Sequence, residues 1–238
     1  ATLLAWSYFV RPTNVVAILA VTAYLLACHR GLFLRYALTG GAWLALFVVY
    51  SWVHFGAVLP AYYRAHRLGV GKLKLAAAGI LVSPSRGVLV FVPTLFFVAY
   101  LIVRYRRRLP QPRLALIALA TVVGHVAVVS GYWQWWAGHS YGARFTTGLV
   151  PWFALLAILG LRAMLDSREV GGPGVAGRGW EHAAAATLLA VSLFVNGRGA
   201  TSEATVEWNS RPVDIDEAPR RAFDWRRPQF LAGLLPPR

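Results

Sequence analysis

Two short segments of the chain carry polar side chains of the types that bind phosphates and sugars. The first is Ser83-Pro84-Ser85-Arg86-Gly87, which lies directly before an apolar run. Serine is a favoured N-cap residue and a helix start exposes unpaired N–H groups, while an arginine can form bidentate, charge-assisted bonds with a phosphate. Ser-Pro is also a routine helix start signal. The segment therefore predicts either a phosphate site or an ordinary helix start.

The second segment runs from Trp133 to Arg144 and is rich in aromatic residues. Trp and Tyr are common at membrane interfaces, so an aromatic belt is one interpretation. Gly138 and Gly142 favour the other, because glycines permit a tight backbone that would let the side chains between them converge on a ligand. The residues predicted to line a sugar or acceptor site are Trp135, Trp136, His139, Tyr141 and Arg144.

The distribution of acids restricts the chemistry that the chain can perform. Residues 1–165 contain fifteen Lys and Arg and no Asp or Glu, so the first carboxylate is Asp166. The single cysteine, Cys28, excludes an intrachain disulfide and a cysteine-based zinc site. No metalloprotease, P-loop, nucleophile-elbow or dinucleotide motif is present, which argues against soluble hydrolases, kinases and dehydrogenases. We expect no metal and no organic cofactor, and the catalytic residue stays unknown.

Composition places the chain in a membrane. The chain has 238 residues, of which 58% are hydrophobic, and a mean hydropathy of +0.53. A formal charge of +15 would suit a nucleic-acid partner, but bilayer-length apolar runs between the basic residues do not. We therefore expect membrane lipid, and no nucleic acid, as a partner.

The apolar runs predict an all-α, polytopic membrane protein with about six transmembrane helices. The predicted spans are 12–28, 36–59, 87–103, 114–132, 145–161 and 182–197. The corresponding regions are a transmembrane part at 1–165, with a basic loop at 60–86 and an aromatic loop at 133–144, then a loop at 166–181, a last helix at 182–197 and a mostly irregular tail at 198–238. Because the chain begins with Ala inside an apolar stretch, we expect a fragment or a processed product.

The positive-inside rule gives an orientation. The basic turn from Arg104 to Arg113 is predicted to be cytoplasmic, which puts the basic loop, the aromatic loop and the tail on the outer side. The basic loop then carries five cations outside, namely Arg64, Arg67, Lys72, Lys74 and Arg86. They either pair with lipid phosphates in general or bind one phosphate-bearing lipid or sugar. Residues 75–85 are apolar but too short to span, as in a re-entrant or interfacial segment.

The tail could be disordered or ordered. Its many charges and few aliphatic residues favour disorder, whereas Trp208, Trp225 and Phe230 could pin it by burial. We expect it to lie ordered over part of the basic loop, with its acids paired with arginines. The expected partners of Asp214, Asp216 and Glu217 in the basic loop are Arg64 and Arg67.

The order of these motifs resembles a known family. The blocks are WVHFGAVLPAYY, VSPSRGVLVFVPTLFFV, WQWWAGHSYGARFTTGLVPWFALL and VEWNSRPVDIDEAPRRAFDWRRPQFL. From about Arg11 to the end, the chain is similar to the later part of bacterial GT-C glycosyltransferases of the protein O-mannosyltransferase and aminoarabinose-transferase group. The resemblance implies sugar transfer from a polyprenyl-phosphate donor at the outer face of the bacterial cytoplasmic membrane. It assigns the donor phosphate to Arg86, Ser85, Lys72, Lys74 and Arg64.

The chain also departs from that family. After Gly142-Ala143-Arg144 it has Gly148 where relatives often carry an acidic residue, and the family's catalytic Asp belongs to a loop ahead of the region represented here. A general base contributes about 100-fold to 10,000-fold in rate. Either a missing N-terminal part supplies that base, or the chain is a non-catalytic integral membrane subunit that packs in a larger complex with other membrane subunits.

Overall fold

The computed structural model describes residues 1–64, 68–69, 71–170 and 179–236, with side chains at 168–170 left out. Within these ranges the protein is helical and has no strand, only one isolated antiparallel bridge between Leu68 and Tyr132. The α-helices are α1 (Thr2–Val10), α2 (Val15–Cys28), α3 (Arg30–Phe55), α4 (Leu73–Val82), α5 (Val88–Phe91), α6 (Thr94–Arg104), α7 (Pro112–Ser130), α8 (Val150–Val170), α9 (Gly179–Thr201) and α10 (Glu203–Glu207). Short 3-10 helices lie at Pro12–Asn14, Ala61–Tyr63, Arg106–Arg108, Arg144–Leu149, Pro219–Phe223 and Gln229–Leu231.

Four helical segments of the described chain are long and apolar enough to cross a membrane. They are Arg30–Phe55, Pro112–Ser130, Arg144–Ser167 and Gly179–Thr201. Their lengths of 19 to 26 residues match the roughly 20 residues that a bilayer core requires. The expectation of an all-helical, membrane-embedded protein is thus confirmed.

The first and third predicted spans form shorter helices. Helix α2 has 14 residues, which is about 21 Å of helix. The third predicted span, 87–103, is broken into α5 and α6, because Pro93 has no N–H to continue the ladder from Val88–Phe91. By length alone, neither segment is a full span.

The core of the helical layer forms where α7 meets α6 and α8. Small and branched side chains interdigitate there, and Ala118 is fully buried. Gly160 of α8 allows close approach, because a Cβ at this position would lie 2.9 Å from Leu101 Cβ of α6. Helix α9 packs on α6 on the far side of this layer.

Helices α1 to α3 form the edge of the layer. Phe9 of α1 stacks on Phe47 of α3 with ring centroids 5.0 Å apart. Elsewhere α3 presents exposed apolar side chains, and only 6% of its most apolar window is buried. Such a surface suits lipid rather than water.

The polar connections gather at one end of the helices, which we call the loop face. It comprises the Ser83–Gly87 segment, residues 131–149, and the tail from 202 to 236. Residues of all three are joined by hydrogen bonds. The turns at 104–112 and at 28–30 lie at the opposite helix ends.

The tail packs on α4 and on the aromatic loop. One buried cluster joins Ala76 and Ile80 of α4, Trp135, and Trp208 and Ile215 of the tail. Phe230 also contacts Phe91, with ring centroids 6.1 Å apart. Of the three aromatic residues predicted to pin the tail, Trp208 and Phe230 pack in this way, whereas Trp225 is 64% exposed.

Candidate functional site

Arg86 is the centre of a buried hydrogen-bond network on the loop face. Its side chain is 2% exposed, and each of its five N–H groups has an acceptor in the protein. Nε donates to Trp136 O at 2.6 Å, Nη1 to Ser85 O and Gln229 Oε1, and Nη2 to Gly138 O and Asn209 Oδ1. No N–H of the guanidinium is left for a ligand phosphate in this arrangement.

The charge of Arg86 is stabilised by neutral groups. Among the described residues no carboxylate lies within 4.0 Å of its guanidinium, and the ring of Trp208 lies 5.6 Å below it. Burial lowers the pKa of Arg86 to about 10, with a smaller contribution from the nearby Arg221. The group therefore stays protonated at neutral pH. Its geometry gives Arg86 a structural role in place of the phosphate-binding role that the sequence predicts.

Ser85 is also part of this network. It is fully buried, and its hydroxyl accepts the backbone N–H of Gln229 at 3.2 Å. The residue before α5 is Gly87, and Ser83 accepts the Arg86 N–H within the turn. The serines thus fix the turn and the tail.

The other predicted phosphate ligands are exposed. Lys72 and Lys74 lie at the start of α4, and Arg64 Nε donates to the nearby carbonyl of Leu59 at 3.4 Å. Since Arg86 is buried and saturated, it does not form one site with these three cations. Arg67 lies outside the described residues.

The tryptophans of the aromatic loop are buried. Trp135 is 2% exposed and Trp136 is 6% exposed, and both pack against the tail. The indole of Trp135 sits so close to Gly79 of α4 that a Cβ there would lie 2.0 Å from the ring. In this arrangement the two side chains form the core under the loop face rather than the lining of a sugar site.

The two glycines shape the loop, although the side chains between them diverge. Gly138 and Gly142 both have φ of +60°, a conformation that glycine adopts without strain. His139 points to the tail, whereas Tyr141 donates its hydroxyl to Val195 O of α9. Burial raises the pKa of Tyr141 to about 12, so it stays a neutral donor.

An exposed cluster of His139, Asp214 and Asp216 joins the loop to the tail. His139 Nε2 donates to Asp214 Oδ1 at 2.8 Å, which holds the pKa of this carboxyl below its usual value. Asp216 Oδ1 accepts from Trp136 Nε1 and from Gln134 Nε2. One ligand atom from each cluster residue lies within 4.8 Å of the others, so the three could together coordinate a cation.

The tail acids therefore have partners other than those expected. In the part of the tail that the structure describes, no carboxylate oxygen lies within 4.0 Å of an arginine side-chain nitrogen. Arg221 stacks on Trp208 at 4.3 Å and donates to Val213 O. The predicted salt-bridged tail surface, and the pairing of its acids with Arg64, are wrong.

Arg144 is the predicted site residue that lines both of two neighbouring cavities. It is exposed, and no acceptor among the described residues lies within hydrogen-bond distance of its guanidinium. On one side it lines an apolar groove of about 350 Å³ between α5, α6 and α8. The groove walls include Phe91, Leu95, Val150 and Phe153.

On its other side Arg144 lines a polar cavity of about 360 Å³. The cavity is lined by Arg11, Pro12, Thr13, Tyr62, Tyr132, Trp133, Gln134, Ala137, Arg144 and Phe145. Arg11 is fixed in this wall because its Nη1 donates to Arg144 O at 3.0 Å and to Thr147 Oγ1 at 2.8 Å. Two arginines and several aromatic rings thus surround one cavity, next to an apolar groove.

His125 supports this wall from below. It lies buried in α7, and its Nε2 bonds to Phe145 O at 2.8 Å. The bond fixes the backbone directly after Arg144.

Sequence reasoning identified Arg144 and Tyr141 near this space but missed Arg11, Tyr62 and Trp133. Arg11 lies 133 residues from Arg144 in sequence, so no local motif joins them. The sequence signal for Arg11 was that no acid lies near it in the chain to pair with its charge. No protein-family model matches the chain, and neither a curated protein nor a solved structure is similar to it at a significant level.

Proposed function

We propose that the chain is the later part of a membrane glycosyltransferase that takes a sugar from a polyprenyl-phosphate donor, with Arg144 holding the donor phosphate. The observation that carries the proposal is the position of Arg144 between an apolar groove and a polar, aromatic cavity. A lipid-linked sugar has the same order of parts, with an apolar chain, a phosphate and a polar ring.

The groove fits the lipid end of such a donor. Its lining is mostly aliphatic and aromatic, and it lies between helices that meet the membrane. Burying apolar surface of an isoprenoid there would stabilise the complex by about 25 cal/mol per Å². Arg144 would add charge-assisted hydrogen bonds to the phosphate, because its own donors are not used within the described protein.

The proposal includes a topology. Six helices cross the bacterial cytoplasmic membrane, α4 lies as a re-entrant or interfacial segment, and the loop face with the tail is on the outer side. The Arg104–Arg113 turn is then cytoplasmic, as the positive-inside rule requires.

The general base is proposed to come from outside this chain. The described loop face offers Asp214 and Asp216, and both already accept hydrogen bonds from the aromatic loop. A carboxylate from polypeptide ahead of Ala1, or from another subunit, would complete the site. The chain then contributes donor binding, and no cofactor is needed for that step.

Lipid binding tests the role of Arg144. The chain in lipid nanodiscs is titrated with undecaprenyl phosphate, comparing Arg144→Ala with Arg162→Ala, which removes an exposed arginine from α8. We expect at least about 10-fold weaker binding for Arg144→Ala, because charge-assisted bonds are lost. The Arg162 variant should bind like the parent. Equal effects would reject the site, provided that both variants unfold at the parental temperature.

A non-catalytic membrane subunit is the second candidate function. It is favoured by α3, whose most apolar window is 6% buried against 33% for α7. Cysteine crosslinking from Leu38 and Val49 on α3 in native membranes, followed by identification of the crosslinked product, distinguishes the two. Sugar transfer by the complete gene product without a partner would exclude the subunit role.

Cysteine accessibility tests the topology. In a Cys28→Ser background, single cysteines replace the exposed Gln111 and Glu217. A membrane-impermeant reagent added outside should label position 217 and spare position 111. Labelling of both positions from one side would show that the topology is wrong.

A further inference from the structure

The polar cavity beside Arg144 has an unusual charge balance. Its described lining includes two guanidinium groups, Arg11 and Arg144, and no carboxylate. The sequence reinforces this imbalance, because no acid occurs anywhere before Asp166. Within this sequence, the tail is the segment of the loop face that carries carboxylates.

The tail carboxylate nearest to the cavity is set back behind another side chain. Asp216 reaches the cavity wall through Gln134, whose Nε2 donates to Asp216 Oδ1 at 3.0 Å. The same oxygen also accepts Trp136 Nε1 at 2.6 Å. The amide of Gln134, rather than the carboxylate, therefore lines the cavity.

The uncharged part of the lining includes several aromatic residues. Tyr62, Tyr132 and Trp133 contribute rings to the cavity, and Trp133 is 60% exposed. Aromatic faces pack against the C–H face of a sugar ring, and hydroxyl and amide groups around them bond its hydroxyls. The cavity thus offers ring stacking together with positive charge.

We infer that this cavity holds the sugar of the donor and selects neutral or acidic sugars against cationic amino sugars. The inference rests on the proposed function and extends it to substrate class. With Arg144 paired to the donor phosphate, a protonated amine would lie beside the guanidinium of Arg11 with no carboxylate in the described lining, and like charges in a partly desolvated site repel. A hydroxyl or carboxylate at the same ring position would accept hydrogen bonds from the arginine N–H groups.

Four lipids of equal chain length test the inference with the full chain in nanodiscs. They are farnesyl phosphate and its glucosyl, glucuronosyl and glucosaminyl conjugates, the last with a free amine. At pH about 7 we expect the glucosaminyl lipid to bind about 10-fold more weakly than the glucosyl lipid, and the glucuronosyl lipid to bind at least as tightly.

Raising the pH separates charge from shape with the same ligand. At about pH 9.5 the sugar amine is largely neutral, while the arginines stay charged. The difference between the glucosaminyl and glucosyl lipids should then fall below about 2-fold. A difference that persists at this pH would mean steric rejection and would overturn the inference.

Two variants locate the effect. Trp133→Ala should weaken the three glycosylated lipids by several-fold and leave farnesyl phosphate unchanged, because only the sugar reaches this ring. Arg11→Gln should narrow the gap between the amino and neutral sugars. If Arg11→Gln disturbs the backbone that Arg11 bonds, the pH comparison in the parent chain still decides.

The outcomes separate this inference from the proposed function. If farnesyl phosphate and all its conjugates fail to bind, the proposed function is wrong. In a second outcome, farnesyl phosphate binds through Arg144 while the glucosaminyl lipid binds as tightly as the glucosyl lipid, or while Trp133→Ala has no effect on any conjugate. In either case the donor site stands and the sugar selectivity is wrong.

Discussion

Arg86 and Asn209 lie 123 residues apart in the sequence, yet Arg86 Nη2 donates to Asn209 Oδ1 at 2.8 Å on the loop face. Four further acceptors from three segments complete the coordination of the guanidinium. The buried arginine thus connects the Ser83–Gly87 segment, the aromatic loop and the tail in one network.

Replacing Arg86 should destabilise the loop face. Arg86→Ala removes five hydrogen bonds and leaves the buried carbonyls of Ser85 and Trp136 without a donor, which should cost at least about 3 kcal/mol. Arg86→Lys should rescue little, because an ammonium offers three donors at one point in place of a five-donor fork. Thermal unfolding in detergent measures this, with Arg107→Ala in the exposed basic turn as control.

The same variant tests the sequence-based hypothesis for Arg86. If Arg86→Ala unfolds at the parental temperature and loses only donor binding, the phosphate role holds and the structural role is wrong.

Two glycines of α9 provide a matched steric test. A Cβ at Gly199 would lie 2.2 Å from the ring of Tyr141, whereas a Cβ at Gly197 meets nothing within 4 Å. Gly199→Ala should lower stability by about 1 to 3 kcal/mol through overpacking. Gly197→Ala should be neutral or stabilise by up to about 1 kcal/mol, because alanine has the higher helix propensity. Unfolding temperatures of equal value for the two variants would contradict the packing of Tyr141 on α9.

Truncating Ile215 should release the tail. This side chain is fully buried against α4 and the aromatic loop, and Ile→Ala substitutions in cores cost about 2–5 kcal/mol. We expect Ile215→Ala to accelerate trypsin cleavage after Arg220 and Arg221. Val213→Ala is the control, because Val213 is 46% exposed. Similar cleavage rates for the two variants would mean that the cluster does not hold the tail.

Acid should weaken the contact between His139 and Asp214. The hydrogen bond from His139 lowers the pKa of Asp214 in the folded protein. A lowered carboxyl pKa contributes stability above the unfolded value of about 4, and the contribution is lost as the pH falls through the folded value. As the pH is lowered from about 6 to about 2.5, the unfolding temperature should therefore fall less steeply for Asp214→Asn than for the parent.

Glu217→Gln is the control for this titration. Glu217 is exposed on the same tail segment, and no contact is formed by its carboxylate within the described residues. Its variant should keep the parental pH dependence. If both variants flatten the curve equally, tail charge in general, rather than the His139 contact, is responsible.

The sequence predicted an all-helical chain, and four of the six predicted spans are long and apolar enough to cross a membrane, because apolar length determines where a chain can span a bilayer. The break in the third predicted span has a signal in the sequence, because Pro93 interrupts VFVPTLFFV. The apolar residues on both sides of Pro93 nevertheless predict one continuous span. The sequence predicted Arg144 as a residue lining a sugar or acceptor site, and the structure places it at the wall of two cavities.

The role of Arg86 could not be read from its own motif. Its acceptors are mainly backbone carbonyls and amide side chains, and Gln229 lies 143 residues away. A serine and arginine before an apolar run look the same whether the arginine binds a ligand or the protein itself. Burial separates the two cases, and burial depends on long-range packing that local sequence does not encode.

Because Gln229 joins the segments of the loop face, the order of synthesis affects when this face can assemble. Its backbone and side chain bond to Ser85, Arg86, Ser140, Gly142 and Thr205. A ribosome makes Gln229 after every one of these partners, so the earlier segments emerge without the residue that joins them. Assembly of the loop face is therefore a late event, completed after α9 has been made, and a chain halted before residue 229 would leave Arg86 short of an acceptor on the surface where we place the donor.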